Sequence, residues 1–190
     1  MNRSVTLPSA ALALFLALPA AAQHAGHHGS HHHGAPSGHA PPVAKAVQPY
    51  AGVEGRRLKA LSEEDAAGLL AGRGMTLALA AELNGYPGPM HVLEHADALR
   101  LTPAQRTTTE ALRDRMAGEA RALGARIVAL EGELDRLFAA GTADTGRLAA
   151  LTASLGALNG RLREVHLATH ISMHDVLGPE QRRAYDRMRG

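Results

Sequence analysis

Residues 102–141 read TPAQRTTTEALRDRMAGEARALGARIVALEGELDRLFAAG, and the apolar positions within them decide the fold. Leu112, Met116, Ala120, Leu123, Ile127, Leu130, Leu134 and Leu137 recur at spacings of three and four, which on a helix places them in one continuous stripe. Thr102-Pro103-Ala104-Gln105 supplies the start: a hydroxyl cap, a proline at the first helical position and a glutamine able to reach back. The spacing predicts one helix of roughly ten turns, broken at Gly141-Thr142-Ala143-Asp144. Beyond the break, Leu148, Leu151, Leu155, Leu158, Leu162, Val165 and Thr169 follow a heptad seam. Two long helices joined by a short loop predict an antiparallel hairpin, and with it an all-α fold.

Working outward, Ser62-Glu63-Glu64-Asp65 reads as a cap followed by first-turn acids, opening a helix to about Leu83 that Gly72 and Gly74 weaken. Asn84 to Pro89 reads as a turn, Pro89 as the start of a short helix from Met90 to Leu99, and Pro179 as the start of a last one running through Arg187. A hairpin of this kind has one face too many to bury alone, so a homodimer is expected. At the N-terminus, Met1-Asn2-Arg3, the apolar run from Leu7 to Ala22 and the small residues Ala20-Ala21-Ala22 match a signal peptide over 1–22, implying export to the periplasm. Residues 23–57 are rich in His, Gly, Ala, Ser and Pro, with little to bury, and are expected to form a disordered tail and linker. The helical domain then occupies 58–190. No later run is long enough to span a bilayer, so the mature chain is expected to make no stable membrane insertion.

The absence of cysteine excludes disulfides, zinc–thiolate sites and lipoprotein-type acylation, leaving His, Met, Asp and Glu as metal donors. A formal charge of +2 with no concentrated basic block argues against a nucleic-acid partner. The 45% hydrophobic but only 3% aromatic content suits slender helices packed through Ala and Leu.

His166, His170, Met173 and His174 stand at i, i+4, i+7 and i+8, on one helical stripe beside the leucine seam, where half-burial is expected. His91 and His95 form another i, i+4 pair. With the tip at Gly141 to Asp144, the helix start near Thr102 lies opposite the helix end near Leu177, which draws both sets to one end and sets Glu110 opposite His174. Converging imidazole and thioether groups ligate Cu, Ni, Co or Zn ions. A single histidine of this kind is more often an ordinary boundary residue, and a methionine a gap-filler. Five histidines and a methionine at one end, with seven of the twelve histidines in the tail, favour metal binding instead. His24, His27, His28, His31, His32 and His33 are candidate tail ligands. His91-Val92-Leu93-Glu94-His95 also spells the inverted zinc-protease signature, but a short helix and a strandless domain offer no peptidase cleft, so no enzymatic activity is expected.

Leu101-Thr102-Pro103-Ala104-Gln105 and Leu177-Gly178-Pro179-Glu180-Gln181 bracket the hairpin, and over about Met90 to Arg189 the chain resembles the Spy/CpxP, or LTxxQ, family of periplasmic proteins. The second copy has Gly178 where the family usually has Thr. The resemblance implies a hooked helical hairpin, usually dimeric with a concave face, in proteins that act as envelope-stress chaperones or respond to metals. Within that group the chain is most similar to the CnrX-like heavy-metal sensor and resistance branch, whose ligands come from H-x-x-x-H before the first motif and H-x-x-x-M before the second. His91 and His95 match the first pair and Met173 the methionine. Thr169 stands where the second pair's histidine would, with His170 beside it, and the branch's long-helix glutamate falls on or near Leu112 rather than Glu110. A different coordination set is implied. The expected function is therefore periplasmic transition-metal binding for sequestration, resistance or sensing, with affinity falling as pH drops through about 6.5. The alternative is an ATP-independent chaperone holding unfolded clients on a concave, arginine-dotted face. Metal ions are the expected partners, joined by clients or an envelope-stress or metal sensor protein.

Overall fold

The computed structural model describes residues 50–189. The expected signal peptide and the candidate ligands His24, His27, His28, His31, His32 and His33 lie outside the described residues. The helices are α1 (Glu63–Ala71), α2 (Leu79–Glu82), α3 (Pro89–Glu94), α4 (Pro103–Ala139), α5 (Thr145–Val176) and α6 (Pro179–Arg189), and the described residues contain no strand. None of these helices is long and apolar enough to cross a membrane.

The hairpin forms as its sequence dictates. Thr102 Oγ1 accepts from the Gln105 amide at 3.2 Å, and Gln105 Oε1 accepts from the Thr102 amide at 3.0 Å, closing the capping box that starts α4. Gly141, at φ 65°, turns the chain, and Asp144 caps α5 by accepting from the Arg147 amide at 2.9 Å. Between the two helices Ala120 and Ile127 meet Leu155, Leu158 and Leu162 in one buried cluster, joined by Leu69 from α1. A second cluster at the open end joins Val92, Leu99, Leu112, Met173, Leu177 and Tyr185. Each such side chain contributes about 1.5–3 kcal/mol when fully buried.

The two glutamines of the bracketing motifs hold the open end together. Gln105 Nε2 donates to Gln181 Oε1 at 2.8 Å and to the Val176 carbonyl at 2.9 Å, while Gln181 Nε2 donates to Gln105 Oε1 at 3.0 Å and to the Leu99 carbonyl at 3.1 Å. Gly178 lacks the hydroxyl of a full capping box, yet its amide still donates to Gln181 Oε1 at 2.9 Å. The glutamine thus caps its own helix and ties it to the other.

Two upstream helices are shorter than their sequences predict. The helix expected to reach Leu83 ends at Ala71, because Gly72 adopts φ 69° and turns the chain against α4, where a Cβ would lie 2.9 Å from the Ala117 carbonyl oxygen. Met75 and Thr76 follow with φ of 42° and 68°, so no helix resumes until α2. The helix expected over Met90–Leu99 ends at Glu94, since the chain must bury Val92, Ala96 and Leu99 and still turn into the Thr102 cap. It does so with Leu101 donating to the Ala96 carbonyl at 3.0 Å and Arg100 at φ 50°. At the other terminus α6 continues to Arg189 rather than stopping at Arg187. The stretch from Gly72 to Gly88 becomes a strap across the open half of the hairpin.

Candidate metal centre

The strap and the hairpin border a half-open cavity of about 640 Å³ whose wall includes His166 and His170 from α5, Glu82 from α2 and His91 from α3. The i, i+4 spacing on α5 puts the first two rings on the same side, one turn apart. Neither is half-buried as the stripe alone predicts: His166 is 2% exposed and His170 8%. The strap is the reason. Gly74 lies over the His166 ring, where a Cβ would sit 3.6 Å from Nδ1, and Gly88 lies against His170, where a Cβ would sit 2.9 Å from Cε1.

The two rings differ in their surroundings. Burial, and then the neighbouring His170, push the His166 pKa below its ordinary value, which favours a neutral ring. His166 Nε2 is buried without a hydrogen-bond partner. A sealed, unbonded ring nitrogen is costly, and a bound ligand would satisfy it. His170 Nδ1 lies 2.7 Å from the Tyr86 carbonyl and 3.5 Å from Glu82 Oε2, so Nδ1 carries a proton and donates it to that carbonyl.

Glu82 is the residue that sequence reasoning missed. Its Oε2 accepts from the Gly88 amide at 3.0 Å, its Oε1 from the Tyr185 hydroxyl, and His91 Nδ1 stands 3.8 Å from Oε1. One largely buried carboxylate therefore ties the strap to the start of α3 and to α6. Tyr185 stays protonated as donor, its pKa raised by burial first and then by the hydrogen bond to Glu82 and that carboxylate's charge. The one signal available was that Glu82 is the sole acid between Asp65 and Glu94.

The other expected donors do not reach the cavity wall. Met173 is fully buried in the apolar cluster with Leu112 and Tyr185. His174 stacks on the Tyr86 ring at 4.8 Å between centroids, with Nδ1 3.5 Å from Asp175 Oδ1. His95 caps the end of α3, and Glu110 is half-buried on α4 outside the cavity lining. Among the described residues, no three His, Asp or Glu side chains are grouped closely enough to hold an ion. What the fold offers is a buried imidazole pair with one orphaned nitrogen, facing a space that Glu82 and His91 also border.

Compared with known families, residues 66–184 match one described as heavy-metal resistance, a span that takes in the cavity, both long helices and most of α6. The chain belongs to this family. No curated protein and no solved structure matches it.

Proposed function

We propose that this heavy-metal resistance protein binds a transition-metal ion in the cavity beneath the strap, with His166 and His170 as the paired donors and Glu82 and His91 beside them. The observation that carries the reading is the buried, unbonded Nε2 of His166 one helical turn from a ring whose Nδ1 is already engaged. Ligating histidines typically donate their other ring N–H to a carbonyl or carboxylate, as His170 does to Tyr86. Two histidines at i, i+4 on one helix face are a recurrent chelating arrangement. The activity is binding rather than catalysis, in the service of sequestration, resistance or sensing, and its setting is the periplasm with the chain as a homodimer. The histidine tail captures ions more loosely.

The test is calorimetric titration of Cu, Ni, Co and Zn ions into the full chain and into His166→Ala/His170→Ala. The expected result is one tight, saturable event that the double variant loses while the weaker tail binding persists. Identical isotherms for the two proteins would reject the site.

A second reading rests on the large apolar side chains the strap region leaves exposed, Leu79, Leu83 and Met90 among them. Such a surface suits a chaperone of the Spy/CpxP kind that holds unfolded clients. Client protection in an aggregation assay, unchanged by chelator and by His166→Ala/His170→Ala, would favour it over the metal reading.

A further inference from the structure

We infer that the ion suited to this cavity is a soft monovalent one of the copper(I) and silver(I) class, held by thioether sulfur from Met75, Met90 and Met116 together with the imidazoles. The inference rests on the proposed metal function and goes further by fixing the ion's charge and softness.

Three of the chain's six methionines border this one cavity. A methionine's ordinary use is to fill gaps in a core, as Met173 does at 0% exposure. Met90 does not serve that purpose, being 56% exposed at the cavity, and Met75, whose thioether lies against Gly68, is still 38% exposed there. Met75 is also held there at a cost. It and Thr76 take consecutive left-handed conformations, each disfavoured by about 1–2 kcal/mol for a residue with a side chain. Gly68 on α1 leaves the room that the Met75 thioether occupies, since a Cβ there would meet Sδ. Strain of this kind persists where the surroundings enforce it, and it clusters at sites that bind.

The oxygen donors nearby are already engaged. Both Glu82 oxygens accept hydrogen bonds, from Gly88 and from Tyr185, and Asp114 is paired with Arg113 at 2.7 Å. Beside them the cavity offers imidazole nitrogen and thioether sulfur. Thioether donors select copper(I)-like ions over harder divalent ones. Charge points the same way. Arg73, Arg113 and Arg121 border the cavity against only two acids, Glu82 and Asp114, and this excess of positive charge disfavours a divalent ion more than a monovalent one.

The experiment uses the full chain labelled with carbon-13 at its methionine methyl groups, silver(I) as a redox-inert probe of the copper(I) class, and zinc(II) as the divalent comparison. Methyl resonances are assigned with Met75→Leu, Met90→Leu and Met116→Leu. Silver(I) is expected to shift the methyls of at least two of these methionines to saturation while those of Met173 and Met188 stay in place. The histidine tail cannot mimic this, because it contributes no methyl signal from residues 75, 90 or 116. Met75→Leu/Met90→Leu is expected to weaken silver(I) binding by about tenfold or more, the least that loss of an outer-shell partner costs a metal site, with zinc(II) binding unchanged. Silver(I) binding without those shifts, or zinc(II) held more tightly by the imidazole pair than silver(I), overturns the soft-ion inference and leaves the metal-binding reading intact. If neither ion's binding responds to His166→Ala/His170→Ala, both fall together.

Discussion

His166 is where burial and polarity conflict most directly. Burial and the adjacent His170 hold its pKa below the ordinary 6.5. The unfolded chain takes up a proton at this ring near 6.5 while the folded chain does not, so below that value the unfolded state binds more protons and stability falls with pH. The contribution of neutral His166 is complete above 6.5 and erodes from there down to the lowered native value. Urea midpoints measured from about pH 7.5 to about pH 5 should therefore decline for the wild type and decline less for His166→Phe. Equal slopes would show that groups other than His166 set the acid response. Gly88 makes a second residue-level test, since a Cβ there would lie 2.9 Å from His170 Cε1 and 3.1 Å from Nε2. Gly88→Ala is expected to cost about 1–3 kcal/mol by overpacking. Combining it with His170→Ala should return most of that cost, and strictly additive losses would mean that the ring is not what the methyl meets.

At the scale of elements, the Gln105–Gln181 pair replaces two independent caps with one shared lock. Gln105→Ala leaves the Val176 carbonyl and one face of the Gln181 amide unbonded, and is expected to cost about 1–3 kcal/mol. The double change Gln105→Ala/Gln181→Ala should cost clearly less than the two single changes summed, because the second removes partners that the first has already stranded. Thermal unfolding of the four proteins decides it, and additivity would reduce the glutamines to separate caps. These elements also show what the sequence could carry. The 3/4 spacing from Leu112 to Leu137 and the seam from Leu148 to Val165 made α4, α5 and their pairing legible, because side-chain periodicity is written into neighbouring residues. The family resemblance marked Gln105 and Gln181 as a pair of motifs without showing that their amides bond each other. The strap was not legible, since its path depends on Gly72 meeting the backbone of α4 and on left-handed Met75 and Thr76. Glu82 was hidden for the same reason, its main partner Tyr185 lying 103 residues away. Of the expected ligands the stripe placed His166 and His170 correctly side by side, but it could not say that Met173 would turn into the core while Met75, Met90 and Met116 faced the cavity.

The described residues form a long hairpin with a strap fastened across one half of it, and the candidate donors come from both parts. His166 and His170 belong to the hairpin, whereas Glu82, Met75, Met90 and His91 belong to the strap and the short helix after it. An ion held between them would therefore fasten the strap, which is now tied down by the contacts of Tyr86 with His170 and of Glu82 with Tyr185. Because such an ion binds the folded chain, free ion at about a hundred times its dissociation constant should raise global stability by about 2.7 kcal/mol. The local effect is more telling. Segments with few buried contacts open well below the global unfolding energy, and a ligand that bridges them to a rigid element raises the cost of opening. Amide hydrogen exchange should thus slow across residues 72–88 on ion binding, with little change at the hairpin tip around Gly141. In His166→Ala/His170→Ala the strap should exchange at its ion-free rate whatever ion is added. Uniform slowing over the whole chain would instead mark an ion that binds the folded state without bridging strap to hairpin, and would place the donors on one side alone.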